Sequence, residues 1–167
     1  MTFHELNLLS KDELRETLFE CCGSHTWVEK MLPFFSVDDL VELLEDAEEQ
    51  WWPCSESDWK EAFTHHPQIG DTTELKKKFA ATAEMVAGEQ SQVQYATDET
   101  IAALAAGNKT YREKFGYIFI VCATGKSAEE MLQLLNERLN NSPAAEIEIA
   151  ADEQIKITQL RLQKLIQ

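Results

Sequence analysis

SVDDLVELLEDAEEQWW, residues 36–52, repeats its apolar side chains at helical rather than strand spacing. Leu40, Leu44, Ala47 and Trp51 recur at steps of three and four, which places them on one helix face. The same grammar recurs outward in both directions. Toward the N-terminus, Ser10 stands three residues before Glu13 as a capping box, and Gly23 closes the helix that follows. Toward the C-terminus, Ser55 and Ser57 can each cap a short segment ending at His65 or His66, because Pro67 disfavours helical geometry at the residue before it. A turn over Pro67–Asp71 leads to a helix from Thr73 to about Tyr95. The next covers Asp98–Phe115 and stops at Gly116. Ser127 with Glu130 opens a helix to Leu139. Asn140-Asn141-Ser142-Pro143 turns the chain into a last helix from Ala144 almost to Gln167. The run Tyr117–Ala123 is continuously apolar and reads as one short extended or buried segment. No repeat and no Gly- or Pro-rich linker appears, and period-two alternation is absent over any useful length. The expectation is all-α: a single-domain bundle of about eight helices spanning residues 1–167.

Composition narrows the function classes. The 167 residues carry 30 acidic and 15 basic side chains, a formal charge of −15, and 44% are hydrophobic. That is an ordinary soluble domain rather than a disordered chain. Nucleic acid is not expected as a partner, because phosphate binding needs clustered Lys and Arg. The longest uncharged, mostly apolar run, Phe115–Gly125, falls far short of the roughly 20 residues of a membrane helix, so no membrane partner is expected. MTFHELNLLSKDEL lacks a cationic segment followed by an apolar core, and KLIQ is not a peroxisomal address. A cytoplasmic location is expected. Cys21, Cys22, Cys54 and Cys122 form no disulfide framework and no C-x-x-C, so reduced thiols are expected. Ten acids lie between Asp38 and Glu61 against the single base Lys60. They form either a docking surface for a basic partner or a solvated helix face, the commoner case.

The informative residues are those that break the apolar rows. Leu75, Phe79, Thr82, Val86 and Val93 share one stripe, and Glu89 falls inside it at about −40° and Gln90 at about +60° from Leu75, at about 100° per residue. A buried, unpaired carboxylate costs several kcal/mol, so Glu89 has a partner or opens onto a cavity; the alternative is a kink at Gly88 that turns it to water. Asn108 sits amid Ile101, Leu104, Ala105, Tyr111 and Phe115, where an Asn is usually a structural hydrogen-bonding residue. Arg161 stands in a row with Ile157 and Leu165. It is either a snorkelling or ion-paired guanidinium or a planar clamp for an oxyanion. His65-His66-Pro67 lies at a helix-to-loop corner, where chemistry tends to sit, and a His exchanges protons near neutral pH. A metal site is not expected: His residues at i and i+1 diverge on a helix, and no H-E-x-x-H exists. No nucleophile elbow and no phosphate loop is present either.

Four stretches together carry a resemblance: FTHHPQIGD (Phe63–Asp71), AGEQ (Ala87–Gln90), NKTYREKFGYIFIVCATGKS (Asn108–Ser127) and ITQLRLQKL (Ile157–Leu165). With the N-terminal helix pattern they cover nearly the whole chain, which resembles the 2-oxo-4-hydroxy-4-carboxy-5-ureidoimidazoline (OHCU) decarboxylase family of urate breakdown. The resemblance implies an all-helical, cofactor-free decarboxylase of a small anionic imidazoline, usually a homodimer, forming (S)-allantoin. It implies His66 as catalytic acid/base and Glu89 as a carboxylate in the site, orienting His66 or holding the substrate hydroxyl. Arg161 would hold substrate oxygens. Pro67 and Gln90 would line the pocket, and backbone groups of Phe119, Ile120, Val121, Cys122 and Ala123 would hydrogen-bond the imidazoline and ureido groups. Many members carry Ser three residues before the Glu, where this chain has Val86. That departure puts one substrate-facing hydrogen bond in question and bears on affinity more than on reaction class.

Overall fold

Seven helix starts are fixed by a side-chain oxygen that accepts the backbone N–H three residues on: Thr2, Ser10, Ser24, Asp39, Ser55, Thr97 and Ser127. Each such cap is worth about 1 kcal/mol. At Thr2, Ser10, Ser55 and Ser127 the acidic residue at the third helical position reaches back to the cap, completing a capping box. The structure, a computed structural model, describes residues 1–67, 73, 75–77, 79 and 97–167. Among these are eight α-helices: Phe3–Asn7, Lys11–Cys22, His25–Met31, Leu40–Trp51, Glu56–Thr64, Asp98–Phe115, Ala128–Arg138 and Pro143–Leu165. A 3-10 turn covers Leu32–Phe34, and no strand occurs among the described residues. The all-α expectation therefore holds.

Where boundaries differ from the sequence reading, local chemistry explains it. The helix read as following Ser36 starts instead at Leu40 behind Asp39. Val37 stays outside it because the Asn7 amide binds both its backbone groups, donating to its carbonyl at 2.8 Å and accepting from its N–H at 3.2 Å. The fully buried row is Leu43, Ala47 and Trp51, with Leu40 and Leu44 half-buried beside it. Phe3–Asn7 and His25–Met31 span too few turns to show a period and went unread. The stretch Tyr117–Ala123 forms neither helix nor strand, and Tyr117 and Ile120 are buried in it. Most of the helix expected over Thr73–Tyr95 lies outside the described residues; Thr73, Leu75–Lys77 and Phe79 are helical.

The chain divides into two compact units whose segments alternate in sequence: Met1–His66, Ile120–Cys122 and Ile147–Gln167 form the first, Pro67–Phe119 and Ala123–Glu146 the second. Three indoles organise the first. Trp27 Nε1 donates to the Ala47 carbonyl at 2.9 Å, Trp51 Nε1 to Ala151 at 2.9 Å and Trp59 Nε1 to Trp51 at 3.2 Å. Each large apolar ring is thereby buried without orphaning its one polar atom. In the second unit, Asp98–Phe115 packs on Ala128–Arg138. The approach is close enough that a Cβ on Gly107 would stand 2.6 Å from Leu135 Cδ2.

That second unit also buries an ionic cluster. Glu146 is fully buried; its Oε1 accepts from Tyr111 Oη at 2.6 Å and from Arg138 Nε at 2.7 Å, and its Oε2 from Asn141 Nδ2 at 2.9 Å. The Arg138 guanidinium lies 4.6 Å from the Phe119 ring centroid. Burial, and then the bond to Glu146, push the Tyr111 phenol far above its usual range, so it stays a donor.

Candidate active site

The candidate site lies in the first unit and begins with the helix Glu56–Thr64. Asp58 completes the capping box at its start. Burial pushes the Asp58 carboxyl upward, but hydrogen bonds from Thr26 and from the Ser55 backbone and hydroxyl outweigh it and hold the group below its ordinary value. At the other end, the His65 N–H reaches the Ala62 carbonyl at 3.1 Å and the His66 N–H reaches Phe63 at 3.4 Å, and Pro67 then prevents another turn. The two imidazoles part at this corner. His65 is exposed and sets its ring edge-on to Phe19 at 4.7 Å. His66 is half-buried, and its Nε2 lies 2.5 Å from Gln154 Oε1.

Gln154 comes from the helix Pro143–Leu165 and is fully buried, with its Nε2 donating to Thr158 Oγ1 at 3.2 Å and to the Cys22 carbonyl at 3.5 Å. Arg161 follows seven residues later, two turns on and about 20° round the same helix. Its guanidinium is half-buried and donates to the Cys21 carbonyl at 3.2 Å. Both anchors are thus main-chain oxygens in the last turn of Lys11–Cys22, groups that a helix leaves without intrahelical partners. A cation there also meets the negative end of the helix dipole.

Gly23, φ +84°, terminates that helix in the left-handed region. A Cβ at position 23 would stand 2.7 Å from His65 Cβ, so the His65–His66 corner packs directly on the glycine. Gly23→Ala is therefore expected to lose about 1–2 kcal/mol from backbone strain alone. Urea unfolding checks this, and an unchanged unfolding midpoint would contradict the packing.

Burial keeps the two thiols beside the site protonated. Burial pushes Cys21 to about 11 and Cys22 to about 12, the nearby Arg161 charge opposing the shift at Cys21 and the Thr158 hydroxyl at Cys22. Neither is a thiolate nucleophile at neutral pH, and no cysteine is in a disulfide. Among the described residues, no group of three or more His, Cys, Asp or Glu is arranged to hold a metal ion. No helix among them is long and apolar enough to cross a membrane.

Of the residues singled out from the sequence, His66 and Arg161 share the first unit, as do Ile120, Val121 and Cys122. Pro67 is exposed, and Phe119 and Ala123 belong to the second unit. Val86, Glu89 and Gln90 lie outside the described residues. Sequence reading overlooked Gln154 and Thr158, although both interrupt the apolar stripe Ile147, Ala151, Ile155, Leu162. The signal is the one seen at Glu89 and Asn108, a polar side chain inside an apolar row.

Fold and site together define an all-helical protein whose candidate chemistry is acid–base work at an anchored imidazole, with a guanidinium on the same supporting helix. The chain belongs to the OHCU decarboxylase family, which matches residues 7–163. It is 38% identical over 146 residues to the uric acid degradation bifunctional protein TTL of Arabidopsis thaliana, covering 87% of this chain and 45% of that protein. It is 28% identical over 166 residues to the 2-oxo-4-hydroxy-4-carboxy-5-ureidoimidazoline decarboxylase of Haloferax volcanii, covering 97% and 94%. A crystal structure of OHCU decarboxylase in the presence of (S)-allantoin matches with TM-score 0.72 and 37% identity, over 90% of this chain and 96% of that one.

Proposed function

We infer that this chain decarboxylates 2-oxo-4-hydroxy-4-carboxy-5-ureidoimidazoline to (S)-allantoin, as a carboxy-lyase of urate breakdown. The observation that carries the reading is the near-complete match, in both chains, to the OHCU decarboxylase structure. In the reaction the bond from C4 to the carboxylate breaks and CO₂ leaves. The electron pair passes into the adjacent ring C=N, whose nitrogen takes a proton. The resulting enol at C4 becomes a carbonyl as the ureido-bearing carbon is protonated on one face, which sets the S configuration.

Two demands follow. Developing negative charge needs fixed donors, each worth about 3–4 kcal/mol when well placed. The proton needs a positioned donor, worth about 10²–10⁴-fold. His66 is assigned the proton, and Arg161 the substrate oxygens. Glu89 supports His66 or the substrate hydroxyl. On the family resemblance, substrate contacts are assigned to Pro67, Val86, Gln90 and the backbone of Phe119–Ala123. No cofactor enters this scheme. A chain of charge −15 admits an anionic substrate because charges farther than about 8 Å are screened at physiological salt, leaving Arg161 to set the local potential. We further assign the chain to the cytoplasm, as one 1–167 domain in a homodimer, on the family resemblance.

The test is circular dichroism during urate breakdown, with urate oxidase and hydroxyisourate hydrolase generating the labile substrate in the cuvette. Rapid appearance of the (S)-allantoin signal above the spontaneous, racemising background is expected. A trace identical to the no-enzyme control, from folded protein, would overturn the assignment. In the same assay Arg161→Lys should raise KM about tenfold with a smaller change in kcat, because a point charge replaces a two-pronged fork. Unchanged kinetics would make Arg161 structural.

A further inference from the structure

The amide of Gln154 can be oriented in only one way. One of its ends meets the Cys22 carbonyl, which can only accept, so that end is the NH₂ group. The other end, Oε1, then faces His66, and an amide oxygen can only accept. His66 Nε2 must therefore carry a hydrogen. We propose that Gln154 is a positioning residue that holds neutral His66 as the Nε2–H tautomer, so that the proton His66 gains and loses during turnover is the one on Nδ1.

The proposal rests on the reading of His66 as the acid–base group. Three features support it beyond the single contact. Gln154 has no exposed surface, so its amide does not exchange this bond for one to water. Thr158, also fully buried and one turn on, takes the amide's donor and fixes its rotamer. And a neutral acceptor is chemically apt. A carboxylate at this place would stabilise the imidazolium and oppose its loss of a proton, whereas an amide orients the ring without adding charge. Among the described residues, the ionisable side chains at the two carbonyls that anchor this contact are Cys21 and Cys22, and Arg161, which donates to the Cys21 carbonyl. The two thiols stay protonated at neutral pH.

The experiment is ¹⁵N NMR of the full chain labelled at histidine, with the His66 signals followed through a pH titration, alongside the pH profile of kcat/KM. In the unsubstituted protein, Nε2 should remain protonated throughout while Nδ1 changes state. Gln154→Glu, which keeps the shape and adds a charge, should move both the His66 titration and the matching limb of the pH profile upward by about one unit or more. Gln154→Leu should lower kcat by about tenfold to 10²-fold, the cost of a misdirected group, with KM little changed. A neutral His66 carrying its proton on Nδ1, or a Gln154→Glu variant whose His66 titrates as before, would overturn the proposal. If Gln154→Leu does not fold, the first two measurements decide the matter. Protein that shows the stated tautomer but turns over no imidazoline would refute the decarboxylase reading and leave the positioning role standing.

Discussion

His66→Ala should reduce the rate of (S)-allantoin formation by about 10²–10⁴-fold while leaving the helical far-ultraviolet spectrum unchanged. With His66 in its proposed acid–base role, the loss belongs in kcat rather than in substrate affinity. The adjacent His65 does not take its place, because its ring is exposed and packs edge-on against Phe19. Stability should fall only modestly. His66 is half-buried, and the substitution strands one buried acceptor, Gln154 Oε1, for about 1–3 kcal/mol. Near-normal turnover would remove His66 from the chemistry. Global unfolding would mean that the corner is a structural element of the fold.

The second large effect is on stability. Glu146→Ala should cost about 3–5 kcal/mol in urea unfolding, because it leaves the buried Arg138 charge without its carboxylate. Tyr111 and Asn141 lose their acceptor in the same step. The double change Glu146→Leu with Arg138→Met should recover much of that loss, since exchanging a whole buried pair for apolar groups is often near neutral. Strictly additive losses in the double variant would show that the cluster contributes through packing and not through its charges.

The sequence made the helix ends plain wherever a cap was written in residues. Ser10 with Glu13, Ser127 with Glu130, and the glycines at 23 and 116 place their boundaries within a residue or so. It misplaced the start of Leu40–Trp51 because what holds Val37 outside that helix is an amide thirty residues away, and no local pattern encodes such a bond. The corner at His66 and the interruption at Arg161 were legible as oddities, and the family resemblance supplied their roles. Glu146 and Arg138 were not noticed at all. Position 146 opens the last helix, where an acidic side chain suits the dipole and attracts no suspicion. Gln154 is less conspicuous for a different reason: a glutamine inside a long helix violates no propensity, so its one signal in the sequence is the apolar stripe that it interrupts.

The bonds that tie Gln154 and Arg161 to the helix Lys11–Cys22 end on backbone carbonyls of residues 21 and 22, not on side chains. Substitution changes a side chain but leaves its peptide group in place. The two anchors are therefore indifferent to which residues occupy these positions, so long as the helix still ends at Gly23. Mutational drift at Cys21 and Cys22 can proceed under packing constraints alone, while the left-handed glycine beside them keeps the platform where it is. In a lineage of such chains, the support of the site would be inherited through the place where a helix stops, and alignment columns at 21 and 22 would vary only as far as packing allows.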